Sequence, residues 1–546
     1  MPSILNTVRD LGRLREIASV LARYGFGELV HRTGLGSLVP GMRDGAGQQL
    51  STAVRIRRVL EELGPSFIKL GQILSTRPDL IPEDILVELK RLQDDVPPVP
   101  FADVRPAIEE QLGGSIDSLF ARFDETAIAS ASIGQVYRAQ LAEGGLDVVV
   151  KVQRPNIAAT IDRDIDLLYW LAHAIQRSVP EAEIHAPVKL VEQFDQAIRA
   201  ELDFTLEADN AERFANDFTD IPTVLFPKVY RDFSSRKVIT LSFIGGEKVL
   251  EAVAHGASGE RIAKTIVQVM VRMIFEHGFF HADPHPGNLL IEGTKDEPIV
   301  GMIDLGLVGR LTPKLRDRLI DLLIAVGRED SRAVADALYA IGRPSKKIDR
   351  NAYDAEVSRL AEKYLRKRLE DIELSMFLRD LIGGAVKYGV EVPADFMMVG
   401  KALMTMEGIA RQIHPRLNVA EEVRPYLAEI LRHRYSPERM TSDLMHLLNR
   451  FSASASELPG LADELLEDLR RGRLTVEVKQ TSAQHAYERL GKRIFGGTLM
   501  GASLITAGIL FSSHRDPLAW GLLALAVMLS SVQAIALALA KHRPPR

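Results

Sequence analysis

One stretch of the sequence decides the fold that we expect, and it reads FFHADPHPGN from Phe279 to Asn288. A short apolar strand, Leu289–Ile291, follows it, and then VGMIDLG from Val300 to Gly306. In the first segment an asparagine comes five residues after an aspartate, and the second segment carries an aspartate directly after its apolar residues. Carboxylate and amide oxygens are the ligands that hard cations prefer. The pattern therefore predicts a polar site beside two short strands, with two of its residues before the first strand and one after the second.

The spacing of Asp283, Asn288 and Asp304 matches the catalytic and metal-binding spacing of protein kinases. In that arrangement Asp283 accepts a proton from, or orients, an attacking hydroxyl or water. Asn288 and Asp304 are then ligands to magnesium that bridges nucleotide phosphates. Each aspartate could instead form a turn, but three such residues at these spacings make a coincidence a poor explanation.

A predicted lysine-bearing strand lies upstream of this stretch. Val148–Val150 form a short β-branched run before Lys151, and such a strand would hold the ammonium group in a fixed direction. A turn of small residues ending at Gly134 precedes it, and such a turn lets backbone amides approach phosphates. Alone, a lysine after a valine run is usually just a strand end. With the downstream motif, the predicted phosphate site consists of Lys151 and a loop made of Ala129, Ser130, Ala131, Ser132, Ile133, Gly134, Gln135 and Val136.

A phosphate-pairing lysine needs an acidic partner, which kinases place on a helix packed against the strand. We expect this helix at Phe194–Phe214, where Glu201, Asp203 and Glu207 stand among apolar neighbours. Acidic side chains on helices usually face solvent. Their position among apolar residues near a predicted nucleotide site makes these three carboxylates the candidates.

The residues before the kinase-like pattern predict a helical unit from Thr52 to about Gln93. This unit contains the segment GPSFIKLGQILSTRPDLIP, and prolines at 97, 98 and 100 end it. From composition alone, Lys69 and Gln72 in this segment are unremarkable surface positions.

Length and composition limit the number of lobes, the kinds of partner and the kinds of chemistry that we expect. A chain of 546 residues is too long for one core and should form two or more lobes. Its net charge of -5 gives no basic excess of the kind that nucleic-acid binding requires, so we expect no nucleic-acid partner. The absence of cysteine excludes disulfides, thiolate catalysis and cysteine-ligated metal centres.

The C-terminal end carries two apolar stretches, 494–513 and 518–540, without a formally charged side chain. About 20 helical residues span a hydrocarbon core of about 30 Å, so we expect two transmembrane helices. The link 514–517 is so short that the helices must run antiparallel. The alternative is a buried hairpin of soluble helices, but neither stretch has an amphipathic stripe.

Basic residues flank the outer ends of both stretches, and the positive-inside rule then places the main body on the cytoplasmic side. They are Arg489, Lys492, Arg493, Lys541, Arg543 and Arg546. Gly497 and Gly501 form a GxxxG face that supports close helix packing only weakly, and with it a possible homodimer.

The N-terminal segment has the apolar periodicity of an amphipathic helix. Its apolar positions are Leu5, Val8, Leu11, Leu14, Ile17 and Leu21. Four arginines interrupt any continuous apolar run, so we expect no cleavable signal. Contact with a membrane and packing on the main body are both compatible with this helix.

Taken together, the motifs resemble those of the UbiB family of atypical kinases, which includes aarF-like bacterial proteins and mitochondrial coenzyme Q kinases. The similarity is close over about residues 63–311 and extends to the C-terminal hairpin. It rests on KLGQ at 69–72, SASIGQV at 130–136, VVVKVQRP at 148–155, ELDF at 201–204 with Glu207, HADPHPGN at 281–288 and DLG at 304–306.

The resemblance assigns further roles. It implies that Lys69 and Gln72 belong to an extension that folds over the cleft where a protein substrate would otherwise bind. The acidic pair Glu201 and Asp203 would interact with that extension, and Glu207 would pair with Lys151. The family's alanine-rich loop affects nucleotide preference, and here its first four residues, 129–132, read ASAS, which leaves the preference for ATP or ADP open.

The resemblance also implies ATP and Mg²⁺ as cofactors, weak ATPase activity and support of ubiquinone biosynthesis at the bacterial inner membrane. Membrane lipids and quinone-biosynthesis intermediates or enzymes would then be its partners. Two alternatives remain, a protein kinase acting in trans and a non-catalytic, nucleotide-gated scaffold for quinone-biosynthesis enzymes.

The predicted fold class is α+β, a two-lobed protein-kinase-like fold with a helical N-terminal extension and a C-terminal transmembrane hairpin. The predicted parts are an amphipathic helix and linker (1–50), the helical extension with the KxGQ motif (51–125), the kinase-like N-lobe (126–245), the C-lobe (246–435), a juxtamembrane helical linker (436–491) and two transmembrane helices (492–546).

Overall fold

A computed structural model describes residues 8–38, 50–75, 81–92, 97–178, 187–344, 348–365 and 374–434. The helices in these ranges are α1 (Val8–Arg23), α2 (Gly27–Arg32), α3 (Thr52–Leu63), α4 (Pro65–Ser75), α5 (Glu83–Leu89), α6 (Phe101–Leu112), α7 (Ile116–Leu119), α8 (Ile157–Ser178), α9 (Pro187–Glu201), α10 (Phe204–Asp217), α11 (Val249–Ala254), α12 (Gly259–Val271), α13 (Pro313–Gly327), α14 (Ser331–Ile341), α15 (Arg350–Leu365), α16 (Leu374–Lys387), α17 (Ala394–Ile413) and α18 (Val419–Arg434). The strands are β1 (Phe120–Phe123), β2 (Ala129–Ser130), β3 (Gly134–Leu141), β4 (Asp147–Gln153), β5 (Val224–Leu225), β6 (Val238–Ser242), β7 (Glu247–Lys248), β8 (Phe279–His281), β9 (Leu289–Gly293), β10 (Pro298–Met302), β11 (Val308–Arg310), β12 (Arg343–Pro344) and β13 (Val390–Glu391).

The N-lobe is built on an antiparallel sheet in the order β1-β3-β4-β6, with β2 added beside β3. Successive side chains of a strand point to opposite faces. In β4 this alternation buries Val148, Val150 and Val152 in one core, which leaves Lys151 on the other face. The predicted lysine strand is therefore present, and Lys151 lies inside it, opposite Val136 of β3 and Ile239 of β6.

The helical extension packs on α8 and α9 through a second core. Leu14 and Ile17 of α1 are buried in it, and Arg13 of α1 donates to Asp164 of α8 at 3.0 Å. This face of α1 is thus covered by protein, and of the two placements compatible with the sequence, packing on the main body is the one observed.

The C-lobe combines a small sheet with a large helical core. Strands β5, β10, β9 and β7 form the sheet in this order. β9 and β10 are the two strands expected after the FFHADPHPGN stretch, and the structure pairs them antiparallel. Strand β8 pairs with β11, which places the HAD and DLG segments side by side. Helix α12, buried along most of its length, packs against α17 and α18.

The helix predicted at Phe194–Phe214 is wrong in one respect, because two helices occupy this stretch. Helix α9 ends at Glu201 and α10 begins at Phe204. Asp203 takes an extended conformation and its carboxylate accepts from the backbone N–H of Thr205, which is the bonding of an N-cap. The short aspartate side chain satisfies a free donor at the start of α10 and so favours a new helix over a continuous one.

Within the described ranges, the structure contains no helix of the length and apolar character that crossing a membrane requires. The predicted transmembrane stretches 494–513 and 518–540, and the juxtamembrane linker before them, lie outside the described residues.

Candidate active site

Lys151 lies at the centre of the site, between two carboxylates from distant parts of the chain. Its ammonium nitrogen is 3.0 and 2.8 Å from the two oxygens of Glu207 on α10, and 3.3 Å from an oxygen of Asp304. It also lies over the ring of Phe204, 5.3 Å from the ring centre. Strand β4, helix α10 and the DLG segment are therefore brought together by one cation.

The electrostatics of this group follow from burial and charge. The Lys151 ammonium lowers the pKa of Asp304 to about 2, so Asp304 is an anion at neutral pH. Burial opposes the charged form of Lys151, but the carboxylates of Asp304 and Glu207 outweigh it and raise the pKa of the lysine. Burial raises the pKa of Glu207, and the ammonium of Lys151 opposes that shift. Lys151 thus remains cationic and can face phosphate oxygens.

Hydrogen bonds from Arg154 hold the loop that is predicted to bind phosphates. The guanidinium donates to the backbone oxygen of Ala131 at 2.8 Å, to the hydroxyl of Ser130 at 2.7 Å and to the backbone oxygen of Pro97 at 2.9 Å. Gly134 starts β3 so close to β4 that a Cβ there would come 2.9 Å from the backbone oxygen of Val152. These contacts hold the turn against the sheet.

The other loop residues are placed as follows. Ala129 is exposed on β2 and Val136 is half-buried on β3. Ser132, Ile133 and Gln135 are buried. The amide of Gln135 donates to the Tyr137 hydroxyl at 2.7 Å and pairs with the backbone of Val99, so it supports the linker before the lobe.

The predicted catalytic loop, residues 281–288, holds Asp283 in a defined position. The backbone N–H of Asp283 donates to Nδ1 of buried His281 at 3.4 Å, and the amide of Asn288 donates to the backbone oxygen of Asp283 at 3.2 Å. One carboxylate oxygen of Asp283 is 2.7 Å from the ammonium of Lys401 on α17. The backbone of the aspartate is thus held by its own loop, and its carboxylate pairs with α17, a helix of the same lobe.

Asn288 and Asp304 fit a magnesium ion that is shared with phosphates. The Asn288 nitrogen bonds to Asp283, which leaves its amide oxygen for a cation, and the Asp304 side chain is 55% exposed and ionised. Asp304 has a φ of +57°, a conformation that non-glycine residues adopt at a cost and often at functional sites. Among the described residues no group of three acidic, histidine or cysteine side chains could hold a metal alone. Two oxygen ligands suit Mg²⁺, which is usually completed by phosphates and water.

The extension reaches this site through α4. The Lys69 ammonium is 2.6 Å from a carboxylate oxygen of Glu201 at the end of α9, and its charge also helps to lower the pKa of Asp304. Gln72, one turn along α4, donates to the backbone oxygen of Leu92 at 3.4 Å. Asp203 caps α10 and pairs with Arg236 at 3.2 Å. The structure therefore joins Lys69 to Glu201, while Gln72 and Asp203 bond elsewhere.

Lys401 and Arg154 were missed by sequence reasoning. Arg154 follows the lysine strand within the quoted motif VVVKVQRP, so its place in a motif was a usable signal. Lys401 stands on a helix nearly one hundred residues beyond Asp304, in a segment without a chemical motif. Only the packing of α17 beside β11 brings it to the catalytic loop.

Comparison with known proteins agrees with this geometry. Residues 91–338 match the ABC1 atypical kinase-like domain, and residues 357–418 match the UbiB helical domain. A protein of Azotobacter vinelandii named "Probable protein kinase UbiB" is 34% identical over 92% of this chain and 94% of its own length. This chain belongs to the UbiB family. A namesake in Aeromonas hydrophila is 33% identical over 95% of this chain and 97% of its own length, and one in Pseudomonas fluorescens strain SBW25 is 36% identical over 77% and 78%.

Membership of the UbiB family confirms the resemblance found in the motifs and agrees with the two-lobed kinase-like fold. Among solved structures, a complex of Rv3197 with erythromycin from Mycobacterium tuberculosis aligns at a TM-score of 0.45 and 24% identity, over 65% of this chain and 90% of that one, a likeness too weak to bear on the site. Residues of the site come from both matched domains. Lys151, Glu207, Asp283 and Asp304 lie in the ABC1 domain, and Lys401 lies in the UbiB helical domain.

Proposed function

We propose that this UbiB-family chain binds Mg²⁺-ATP and transfers its terminal phosphoryl group to water, in support of ubiquinone biosynthesis at the bacterial inner membrane. The observation that carries the proposal is the position of Lys151, within 3.3 Å of both Glu207 and Asp304. This group is the part of a kinase that holds nucleotide phosphates and places the metal.

Each residue has a defined task in this proposal. Lys151 pairs with the phosphates, and Glu207 orients its ammonium. Asn288 and Asp304 hold Mg²⁺, which neutralises charge on the phosphates when it is bound. Asp283 orients the attacking oxygen and accepts its proton.

Water is favoured as the acceptor because the extension is joined to the cleft. The Lys69–Glu201 contact ties α4 to α9, and the charge of Lys69 reaches Asp304. A helix at this position restricts the approach of a large acceptor and leaves room for water.

The membrane part of the proposal rests on the sequence. Two apolar stretches, 494–513 and 518–540, would anchor the chain, and their basic flanks would keep the kinase-like body cytoplasmic. Lipid intermediates of quinone synthesis, or the enzymes that act on them, would then meet the body at the membrane surface.

The direct test is phosphate release by the purified full-length chain, with and without anionic liposomes. We expect Mg²⁺-dependent release that Asp283→Asn lowers by about 10²–10⁴-fold while nucleotide affinity is kept, because the amide has the size of the carboxylate but accepts no proton. Equal turnover of the variant and the wild type would remove Asp283 from the chemistry. Binding without turnover in the wild type would favour the nucleotide-gated scaffold.

A protein kinase acting in trans is the second candidate, and the name "Probable protein kinase" of the relatives favours it. Self-phosphorylation, phosphorylation of added proteins, quinone production and the affinities for ATP and ADP would be compared for the wild type, Lys69→Ala and Ala131→Gly. Glycine reaches backbone conformations closed to alanine, so Ala131→Gly should loosen the loop and shift nucleotide affinity. Efficient phosphorylation of added protein by the wild type, with both variants unchanged, would replace the ATPase proposal with the trans kinase.

A further inference from the structure

Lys401 is a cation at the catalytic aspartate that belongs to none of the motifs in the sequence. Its ammonium lies 2.7 Å from a carboxylate oxygen of Asp283, and the two side chains are 33% and 41% exposed. An ion pair this exposed contributes at most about 1 kcal/mol to folding, so stability alone gives little reason for it. The pair is therefore better explained by what Asp283 does.

The backbone on both sides of the contact is fixed. Val399, Ala402 and Met406 of α17 are buried, so the helix that carries Lys401 is held in the C-lobe core. Asp283 is held by the bonds of its backbone to His281 and Asn288. A helix that is anchored in the core, rather than an exposed loop, therefore positions Lys401 beside Asp283.

We propose that Lys401 is a further catalytic residue, whose ammonium contacts the transferred phosphoryl group while it remains paired with Asp283. This inference rests on the proposed function, and it means that the UbiB helical domain supplies part of the catalytic centre.

The chemistry explains why a cation is needed at this point. A bond forms between the acceptor oxygen and the terminal phosphorus, and the bond from that phosphorus to the bridging oxygen breaks. The electron pair of the broken bond stays on the bridging oxygen of ADP, and the proton of the acceptor passes to Asp283. An anionic base and an anionic phosphoryl group repel each other as they approach.

Lys401 can reduce this repulsion because an ammonium group has three N–H donors. One donor serves Asp283, and two are left for phosphoryl oxygens. Lys151, the other cation of the site, contacts Glu207 and Asp304 rather than Asp283. A preorganised cation at the point where charge develops strongly stabilises the transition state.

The test compares Lys401→Gln and Lys401→Arg with the wild type and with Lys387→Gln as a matched control. Lys387 ends α16 in the same helical domain and pairs with a carboxylate, Glu356, at 3.3 Å. For each full-length protein, calorimetry would give the affinities for Mg²⁺-ADP and for a Mg²⁺-ATP analogue with a non-hydrolysable terminal phosphate. Phosphate release and thermal unfolding would be measured on the same samples.

For Lys401→Gln we expect unchanged ADP affinity, analogue affinity lowered about tenfold, and turnover lowered by about 10²–10³-fold. Lys401→Arg should recover part of the analogue affinity because it keeps the charge. Lys387→Gln should match the wild type in all three.

Three results would overturn the inference. They are an unchanged ratio of analogue to ADP affinity with unchanged turnover, an equal loss of both affinities together with a lower unfolding temperature, and failure of Lys401→Gln to fold. If the wild type binds and hydrolyses ATP, any of these results excludes Lys401 from the catalytic centre and leaves the proposed function standing. A wild type that binds neither nucleotide would remove the proposed function together with the inference.

Discussion

At the scale of single residues, Asp304 is the proposed anionic ligand of a magnesium ion. Asp304→Asn replaces an anionic ligand with a neutral amide, and we expect Mg²⁺-dependent ATP affinity to fall by at least about tenfold, since even outer-shell partners of metals are worth that much. Titration calorimetry with and without Mg²⁺ measures the change.

Asp296→Asn serves as the control for Asp304→Asn, because Asp296 is an exposed aspartate in the turn between β9 and β10. Unchanged Mg²⁺-dependent affinity in Asp304→Asn would count against its assignment as a ligand.

Lys151 has a second role, because it is the cation beside a buried carboxylate. The side chain of Glu207 is 6% exposed, so Lys151→Ala leaves a buried charge without its partner. We expect impaired nucleotide use and a loss of about 1–3 kcal/mol in the free energy of unfolding at neutral pH.

The pH dependence of that loss has a definite sign. Burial raises the pKa of Glu207, and removal of Lys151 raises it further. Below the pKa of an unfolded glutamate, about 4.3, Glu207 is protonated in both states and its burial costs little stability. As the pH rises through the raised pKa of the folded state, the buried carboxylate becomes charged and the free energy of unfolding falls. Denaturant unfolding of Lys151→Ala between about pH 5 and 8 should therefore show stability falling with pH relative to the wild type.

Adding Glu207→Gln to Lys151→Ala removes the titrating group, so the pH trend should disappear in the double variant. A wild-type turnover rate in Lys151→Ala would exclude the lysine from phosphate binding. A pH trend that persists in the double variant would assign it to another group.

At the scale of elements, the position of α4 depends on Gly71. A Cβ at Gly71 would come 2.2 Å from a methyl of Leu92 and 2.8 Å from one of Leu60, so both leucine side chains would have to move to admit it. Gly71→Ala overpacks this buried contact, and we expect a loss of about 1–3 kcal/mol in the free energy of unfolding. Because Lys69 is on the same helix, its pairing with Glu201 should also weaken.

Gly12→Ala is the matched control, because the same change in α1 meets no atom within 4 Å. Alanine there should stabilise the protein by about 0.5–1 kcal/mol through helix propensity. Chemical unfolding of both variants gives the two values. Equal effects of the two substitutions would show that α4 is not held by close packing at Gly71.

The elements also show where prediction from the sequence stops. The lysine strand and the β9–β10 pair are confirmed, because β-branched and apolar runs between turn residues leave few alternatives. The single helix expected at Phe194–Phe214 was wrong. Apolar periodicity continues across the break, and the deciding feature was one capping aspartate, Asp203.

At the scale of the whole molecule, the predicted anchor is separable from the body. Truncation after Gln484 removes both apolar stretches, and we expect the product to lose its need for detergent. Membrane fractionation with carbonate extraction compares it with the full chain. A truncated protein that still requires detergent would place the main anchor elsewhere. Because Leu14 and Ile17 of α1 face the protein core, α1 in its packed position is not expected to replace it.

The sequence by itself determined the family, and it predicted the lobe and the types of side chain that we propose hold a nucleotide. These follow from short motifs, in which spacing along the chain fixes spacing in space. Asp283 and Asn288 are separated by one tight loop, and the DLG segment follows one hairpin, so local geometry brings them together.

The resemblance implied that Glu207 pairs with Lys151 and that Glu201 contacts the extension, and the tertiary structure shows both contacts. The pairing of Lys401 with Asp283, and the bonding of Gln72 and Asp203 to other partners, were decided by the tertiary structure alone. Lys69 pairs with Glu201, Glu207 with Lys151, and Lys401 with Asp283, across separations of more than 50 residues. Such contacts depend on how helices pack, and packing is set by the shapes of buried side chains such as those around Gly71. A lysine on a helix has the same local sequence signature whether it faces solvent or a catalytic aspartate. Lys401 therefore became visible only when α17 was placed against the catalytic loop.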